Sequence, residues 1–243
     1  LFQAEIAKLT MPTQLQNEII LEIAGVEVVL RSDATIRLPE FKSLLVADLH
    51  LGKDASFRAA GLPVPEGPNQ TTFDLLSQAI AATRPEILLL LGDLIHNRDA
   101  MTPGLIEQFA RWRTNHSNMR CVLVRGNHDR HVKTFPATWQ MEEVFEYRLG
   151  PFELVHEVAA AFSTSLETSG ARESQQDNFQ IGGHWHPVIH VGRGADRMRL
   201  RCFVVGRGHI TLPAFGPFKG GLAQRRNPST TYYPTCDGKI WRL

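Results

Sequence analysis

A chain of 243 residues, 43% of them hydrophobic, with a formal net charge of +1, can bury a sizeable core and carries no overall bias toward an acidic or basic partner. Its most apolar run, Ile87 to Leu91, is far shorter than the ~20 residues of a membrane-spanning helix, and the N-terminus lacks the pattern of a signal peptide. The three cysteines, Cys121, Cys202 and Cys236, are widely spaced, which suits reduced thiols and excludes a Cys-x-x-Cys metal knuckle. A cytoplasmic protein with no membrane contact is expected.

The opening LFQAEIAKLT precedes Met11, where MPTQLQ reads as a natural start, so residues 1–10 are expected to be an expression-vector remnant and residues 11–243 a single domain. IILEIAG and VEVVL place β-branched residues around Gly25 and predict a hairpin. LLVADLHLGKD (Leu44 to Asp54) is an apolar run that finishes on Asp48 and His50. If a strand ends near Ala47, residues two apart share a face, and both groups emerge at its carboxyl edge, where open α/β sheets bind ligands. AGLPVPEGP (Ala60 to Pro68) is too punctuated for a regular element.

A helix is predicted from near Thr71, with Phe73, Leu76, Ala79 and Ile80 as its apolar stripe and Pro85 as its stop. EILLLLGD reads as a buried strand ending at Asp93. Thr102-Pro103 starts a second helix whose inner face is Leu105, Ile106, Phe109 and Trp112. RCVLVRGNHD repeats strand then polar loop and delivers Asn127, His128 and Asp129. Such strand–helix units imply a parallel sheet with right-handed crossovers. Beyond residue 140, VFEYRLG, FELVHEV, FQIGGHWHP, VIHVG, RLRCFVV and HITLP read as short strands of a second, largely antiparallel sheet, and STSLETSGARESQQDN (Ser163 to Asn178) as a polar loop. The expected fold class is α/β: a four-layer αββα sandwich of two mixed sheets.

One strand end after another carries hard donors: Asp48 and His50, Asp93, Asn127, His156, then His184 and His186. Carboxylate, amide oxygen and imidazole without thiolate suit manganese, iron or zinc, whereas calcium or magnesium would prefer all oxygen. Two close cations repel, and a shared carboxylate offsets that repulsion; Asp93 is the expected bridge. A lone histidine on an apolar strand is more often a core residue, so only its position between the other segments promotes His156.

DLH (Asp48 to His50), GDLIH (Gly92 to His96), GNHD (Gly126 to Asp129), His156 and GHWH (Gly183 to His186) together resemble the five motifs of the calcineurin-like metallophosphoesterases, in order and spacing. The resemblance implies one ion on Asp48, His50, Asp93 and His186, and a second on Asp93, Asn127, His156 and His184. It further implies attack on phosphorus by a metal-bridging hydroxide, with His128 as the acid and Asp129 behind it, orienting the ring and raising its pKa.

ADLHLGKDASFRAAGLPVPEG and LPAFGPFKGG resemble the bacterial ligase-associated DNA-damage-response endonucleases, the PdeM branch. That implies a manganese-dependent phosphodiesterase acting on DNA, with single strands as the expected substrate and a functional link to a ligase and a helicase. A small-molecule phosphomonoesterase, a cyclic-nucleotide phosphodiesterase and a non-catalytic scaffold are the alternatives. Backbone contacts are sought at Arg58, at Arg130 with Lys133, and at Arg197, Arg199 and Arg201, whose period-two spacing places them on one strand face unless they merely protect an edge. His96 either lines the cleft or is structural.

Overall fold

The central strands are buried almost throughout, and alternation divides their side chains between two cores. Leu44, Val46, Leu88, Leu90, Cys121 and Leu123 pack with Phe73, Leu76, Phe109 and Trp112. Leu45, Ala47, Leu89, Leu91, Val122 and Val124 pack with Phe152, Leu154, Ile181 and Phe203. A strand whose successive residues face opposite ways can be apolar throughout only if both faces are covered.

The computed structural model describes residues 15–53, 67–159, 179–192, 194–217 and 220–243. The first sheet runs, in spatial order, β1 (Glu18–Ile23), β2 (Val26–Arg31), β3 (Ile36–Leu38), β4 (Ser43–Val46), β5 (Ile87–Leu91), β6 (Arg120–Val124) and β7 (Glu142–Val144). Pairing is antiparallel from β1 to β4 and parallel from β4 to β7. Ala24 and Gly25, with φ of 52° and 78°, make the tight turn between β1 and β2, both central residues in the left-handed region that such a hairpin requires.

Among the described residues, two α-helices cover the outer face of this sheet. Helix α1 (Pro68–Thr83) begins three residues before the predicted start, because proline's fixed φ suits the first helical turn, and it ends at Arg84 with φ 48°. Helix α2 (Pro103–Asn115) starts as predicted, with the Thr102 hydroxyl accepting from the Leu105 amide at 3.3 Å.

The second sheet holds β8 (Tyr147–Leu149), β9 (Phe152–Leu154), β10 (Phe179–Gly182), β11 (Pro187–Val191), β12 (Met198–Val205), β13 (His209–Thr211), β14 (Leu222–Ala223), β15 (Thr231–Cys236) and β16 (Lys239–Ile240). Its order is β14-β11-β12-β13-β10-β9-β8, with β15 on β12 and β16 on β15. Parallel pairs, β9 with β10, β10 with β13 and β11 with β14, interrupt the antiparallel ones, so the sheet is mixed. The two sheets bury their inner faces against each other, as the sequence led us to expect. On the outer face of the second sheet Ile189, Val191, Leu200, Cys202 and Val204 pack with Tyr232 and Trp241. No α-helix covers that face among the described residues. All three cysteines are free.

Candidate metal centre

In-register parallel pairing, Val46 with Leu90 and Leu91 with Val124, brings the carboxyl ends of β4, β5 and β6 to one level. The chain then turns sharply. Asp48, His50, Asp93, His184 and His186 have φ of 57°, 45°, 50°, 70° and 43°. Strand alternation therefore does not aim Asp48 and His50, as the sequence suggested; left-handed backbone turns do. Each such residue costs roughly 1 kcal/mol or more, and such strain persists only where its surroundings enforce it. Here the Asp48 amide donates to the Gly92 carbonyl at 3.1 Å and the His50 amide to that of Asp93 at 2.9 Å.

The predicted ligands meet in two groups. In one, His50 Nε2 lies 3.0 Å from His186 Nε2, which is 3.4 Å from Asp48 Oδ1. In the other, His156 Nε2, His184 Nδ1 and Asn127 Oδ1 lie 3.0–3.1 Å from one another. Asp93 stands between them, with Oδ1 3.3 Å from His156 Nε2 and Oδ2 3.9 Å from His50 Nε2. The separate triads Asp48/His50/His186 and Asp93/His156/His184 each have the compactness of a metal site.

The donor chemistry fits cations. His156 Nδ1 is 3.0 Å from the Leu91 carbonyl, which can only accept, so the ring proton sits there and Nε2 presents a bare lone pair. A single proton on His184 could not satisfy the three electron-rich atoms that face one another in this group. With ligand bonds of about 2.1 Å meeting at right angles, neighbouring donors are about 3 Å apart, which is the spacing seen. Burial, followed by the neighbouring His186 and His128 rings, lowers the His50 pKa to about 2, which keeps that ring neutral and able to donate its lone pair.

Glycines make the room. A Cβ at Gly92, whose φ is 79°, would stand 2.8 Å from His156 Cβ and closer still to its ring, and one at Gly183 would meet the Asp48 carboxylate. The sequence offered no glycine beside His156 itself. The glycine that makes room for it is Gly92 of the second motif, distant in the chain.

His128 and Asp129 do not pair as expected. The His128 ring donates through Nδ1 to the His96 carbonyl, which leaves Nε2 facing Asp93 Oδ2 at 3.8 Å. Asp129 is buried and accepts instead from the amides of Gly126 at 2.9 Å and Ile95 at 3.1 Å, and burial raises its pKa. A 3₁₀ turn over Asp129–His131 begins there and folds the carboxylate inward, so Asp129 braces the loop rather than the imidazole. The His96 ring stacks on His128, centroids 5.6 Å apart, and therefore lines the site. Lys53, which the sequence did not single out, lies close enough to lower the pKa of His50 and His96 beyond the larger effect of burial.

The expected basic contacts divide. Arg58 lies outside the described residues. Arg130 and Lys133 are exposed in the loop after β6. Arg197 and Arg199 are exposed, but Arg201 is partly buried, donates to Thr235 Oγ1 at 3.2 Å and has its pKa lowered by burial. Neither expected reading of the three holds as a set. β12 is flanked by β11, β13 and β15, so it is no edge strand, and Arg201 is held inside the structure. Arg201→Gln is accordingly expected to cost about 1 kcal/mol in urea unfolding, while Arg199→Gln leaves stability within about 0.5 kcal/mol of the parent.

The calcineurin-like phosphoesterase family model matches residues 41–170. The crystal structure of the Pseudomonas putida nuclease MPE superposes with a TM-score of 0.75 at 33% identity, covering 93% of this chain and 100% of that one. The E. coli phosphoesterase Yfce gives 0.39 at 16% identity, over 79% of this chain and 86% of its own. No curated protein matches by sequence.

Proposed function

The chain belongs to the calcineurin-like phosphoesterase family and is a metal-dependent phosphoester hydrolase, and on that premise we propose that it is a dinuclear nuclease. One observation carries the dinuclear reading: the two oxygens of Asp93 are turned toward different donor groups, 3.3 Å from His156 and 3.9 Å from His50. Asp48, His50, Asp93 and His186 would hold one divalent cation, and Asp93, Asn127, His156 and His184 the other, with manganese as the first candidate. Bound there, the cations lower the pKa of water and neutralise charge on the phosphoryl oxygens.

The remaining chemistry falls to side chains. With His128 Nδ1 committed to the His96 carbonyl, the imidazolium carries its transferable proton on Nε2, the atom that faces the donor groups. That proton goes to the departing alkoxide oxygen as the phosphorus–oxygen bond breaks. Orientation by a backbone carbonyl fixes which ring nitrogen carries the transferable proton.

The Pseudomonas putida nuclease supports a nucleic-acid substrate, since the likeness extends over 93% of this chain. Within that class the PdeM-like segments favour single-stranded DNA, endonucleolytic cleavage in repair alongside a ligase and a helicase, and a cytoplasmic setting. Manganese-loaded enzyme should hydrolyse single-stranded DNA and a chromogenic bis-ester much faster than a monoester or a cyclic nucleotide; preference for the monoester would sink the nuclease reading. His128→Ala should slow a substrate with an alkoxide leaving group about 10²-fold or more, and an activated nitrophenyl ester far less, because only the basic alkoxide needs the proton. Equal slowing of both esters, or loss of an ion, would show that His128 is no acid.

A further inference from the structure

Strand β14 is an outer strand of the second sheet, and it is bonded to the loop that carries the metal-site histidines. The Leu222 amide donates to the His186 carbonyl at 3.0 Å, and β14 then runs parallel to β11, Leu222 beside Pro187 and Ala223 beside Val188. The Gln224 amide continues the ladder to the Val188 carbonyl at 2.7 Å. Arg225 and Arg226 follow at once, three and four residues past Leu222, or roughly 10 and 13 Å along an extended chain.

Both arginines are exposed, and neither meets a carboxylate among the described residues. Their backbone is nonetheless held. The Tyr232 hydroxyl donates to the Arg225 carbonyl at 2.9 Å and accepts from the Asn227 amide at 3.2 Å, and the Thr230 amide donates to the Asn227 carbonyl at 3.1 Å. On the neighbouring strand Arg199, opposite His190 of β11, donates to the Gly221 carbonyl just before β14. The result is a cationic ledge that starts one strand spacing from His186 and leads away from the metal centre. Arg225 and Arg226, exposed, engaging no carboxylate among the described residues and carried on a braced backbone, suit a polyanion with regularly spaced charges, because guanidinium pairs with phosphate oxygens and little order is left to impose on binding.

We propose that Arg225 and Arg226, with Arg199 beside them, form a backbone-binding ledge for the nucleotides flanking the scissile phosphodiester on one side. This rests on the nuclease reading, and it moves the main contact to Arg225 and Arg226, keeping only Arg199 of the period-two trio.

The test is steady-state cleavage by the manganese-loaded enzyme, with oligothymidylate and a small chromogenic diester compared over a range of salt. Arg225→Gln/Arg226→Gln should raise KM for the oligonucleotide about tenfold and reduce the log–log salt slope by about 1.4, the value for two lost phosphate contacts on a single strand. Hydrolysis of the small diester, which does not reach the ledge, should be unchanged. Arg111→Gln/Arg148→Gln, which removes the same charge from α2 and β8, should alter neither substrate. Unchanged KM and salt slope in the first variant would overturn the ledge while wild-type cleavage of the oligonucleotide keeps the nuclease reading. An equal loss in the second variant would also overturn it, by reducing the effect to net charge. A wild-type enzyme that hydrolyses the diester but leaves oligothymidylate intact would remove the nuclease reading and the ledge with it.

Discussion

Asp93→Asn should yield a folded protein that has lost most of its affinity for both cations and at least about three orders of magnitude in turnover. The fold survives because Asn retains an oxygen where Asp93 Oδ1 accepts from the His128 amide at 3.0 Å, so the turn after β5 keeps its tie to the loop after β6. The cations do not, because the amide carries one neutral oxygen and one nitrogen where the carboxylate presents an anionic oxygen to each donor group, 3.3 Å from His156 and 3.9 Å from His50. Each group then keeps neutral imidazoles with too little negative charge to offset two divalent ions. Metal content per chain after dialysis, with circular dichroism as the check on folding, measures this. A variant that keeps two ions and near-normal turnover would falsify the bridging role.

Gly92→Ala should be severely damaging for a change of one methyl group. Gly92 has φ 79°, which L side chains rarely adopt, and its missing Cβ leaves the space that the His156 ring fills. Backbone strain and overpacking together cost about 3 kcal/mol. Displacing the ring also breaks the bond from His156 Nδ1 to the Leu91 carbonyl that turns Nε2 toward Asn127 and His184. The urea midpoint of the apo protein should therefore fall sharply, and the refolded fraction should bind one ion well and the second poorly. If stability and stoichiometry both match the parent, His156 does not depend on Gly92 for its place. Gly104→Ala is the control, since nothing stands within 4 Å of a Cβ there.

The sequence was most informative where one rule covers many residues. Period-two alternation and apolar run length gave the parallel strands β4, β5 and β6, and capping chemistry gave the start of α2, because these depend on neighbours in the chain. The donor residues themselves were legible for a related reason. Acids and histidines directly behind buried strands are costly unless they bind something, so their recurrence at Asp48, Asp93, Asn127 and His184 marked the strand ends as a site.

What local rules could not decide was which atoms face which. Asp129 follows His128 in the chain, yet it bonds to the Gly126 and Ile95 amides, while the His96 carbonyl holds the His128 ring. Arg201 keeps step with Arg197 and Arg199 in the sequence, yet β15 brings Thr235 against it and removes it from the surface set. His156 gained its setting from Gly92 and Leu91, and Arg225 its nearness to His186 from the β11–β14 pairing. Composition and periodicity thus determined the central strands, the two-sheet class and the donor inventory, because those follow from the burial preference of each segment, whereas the short strands β3, β7 and β14 and the C-terminal pair β15 and β16 were not legible. The turning of the two Asp93 oxygens toward different donor groups, the brace on His128 and the placing of Leu222 beside Pro187 were decided only by tertiary structure, because each depends on groups 30 or more positions apart being brought together.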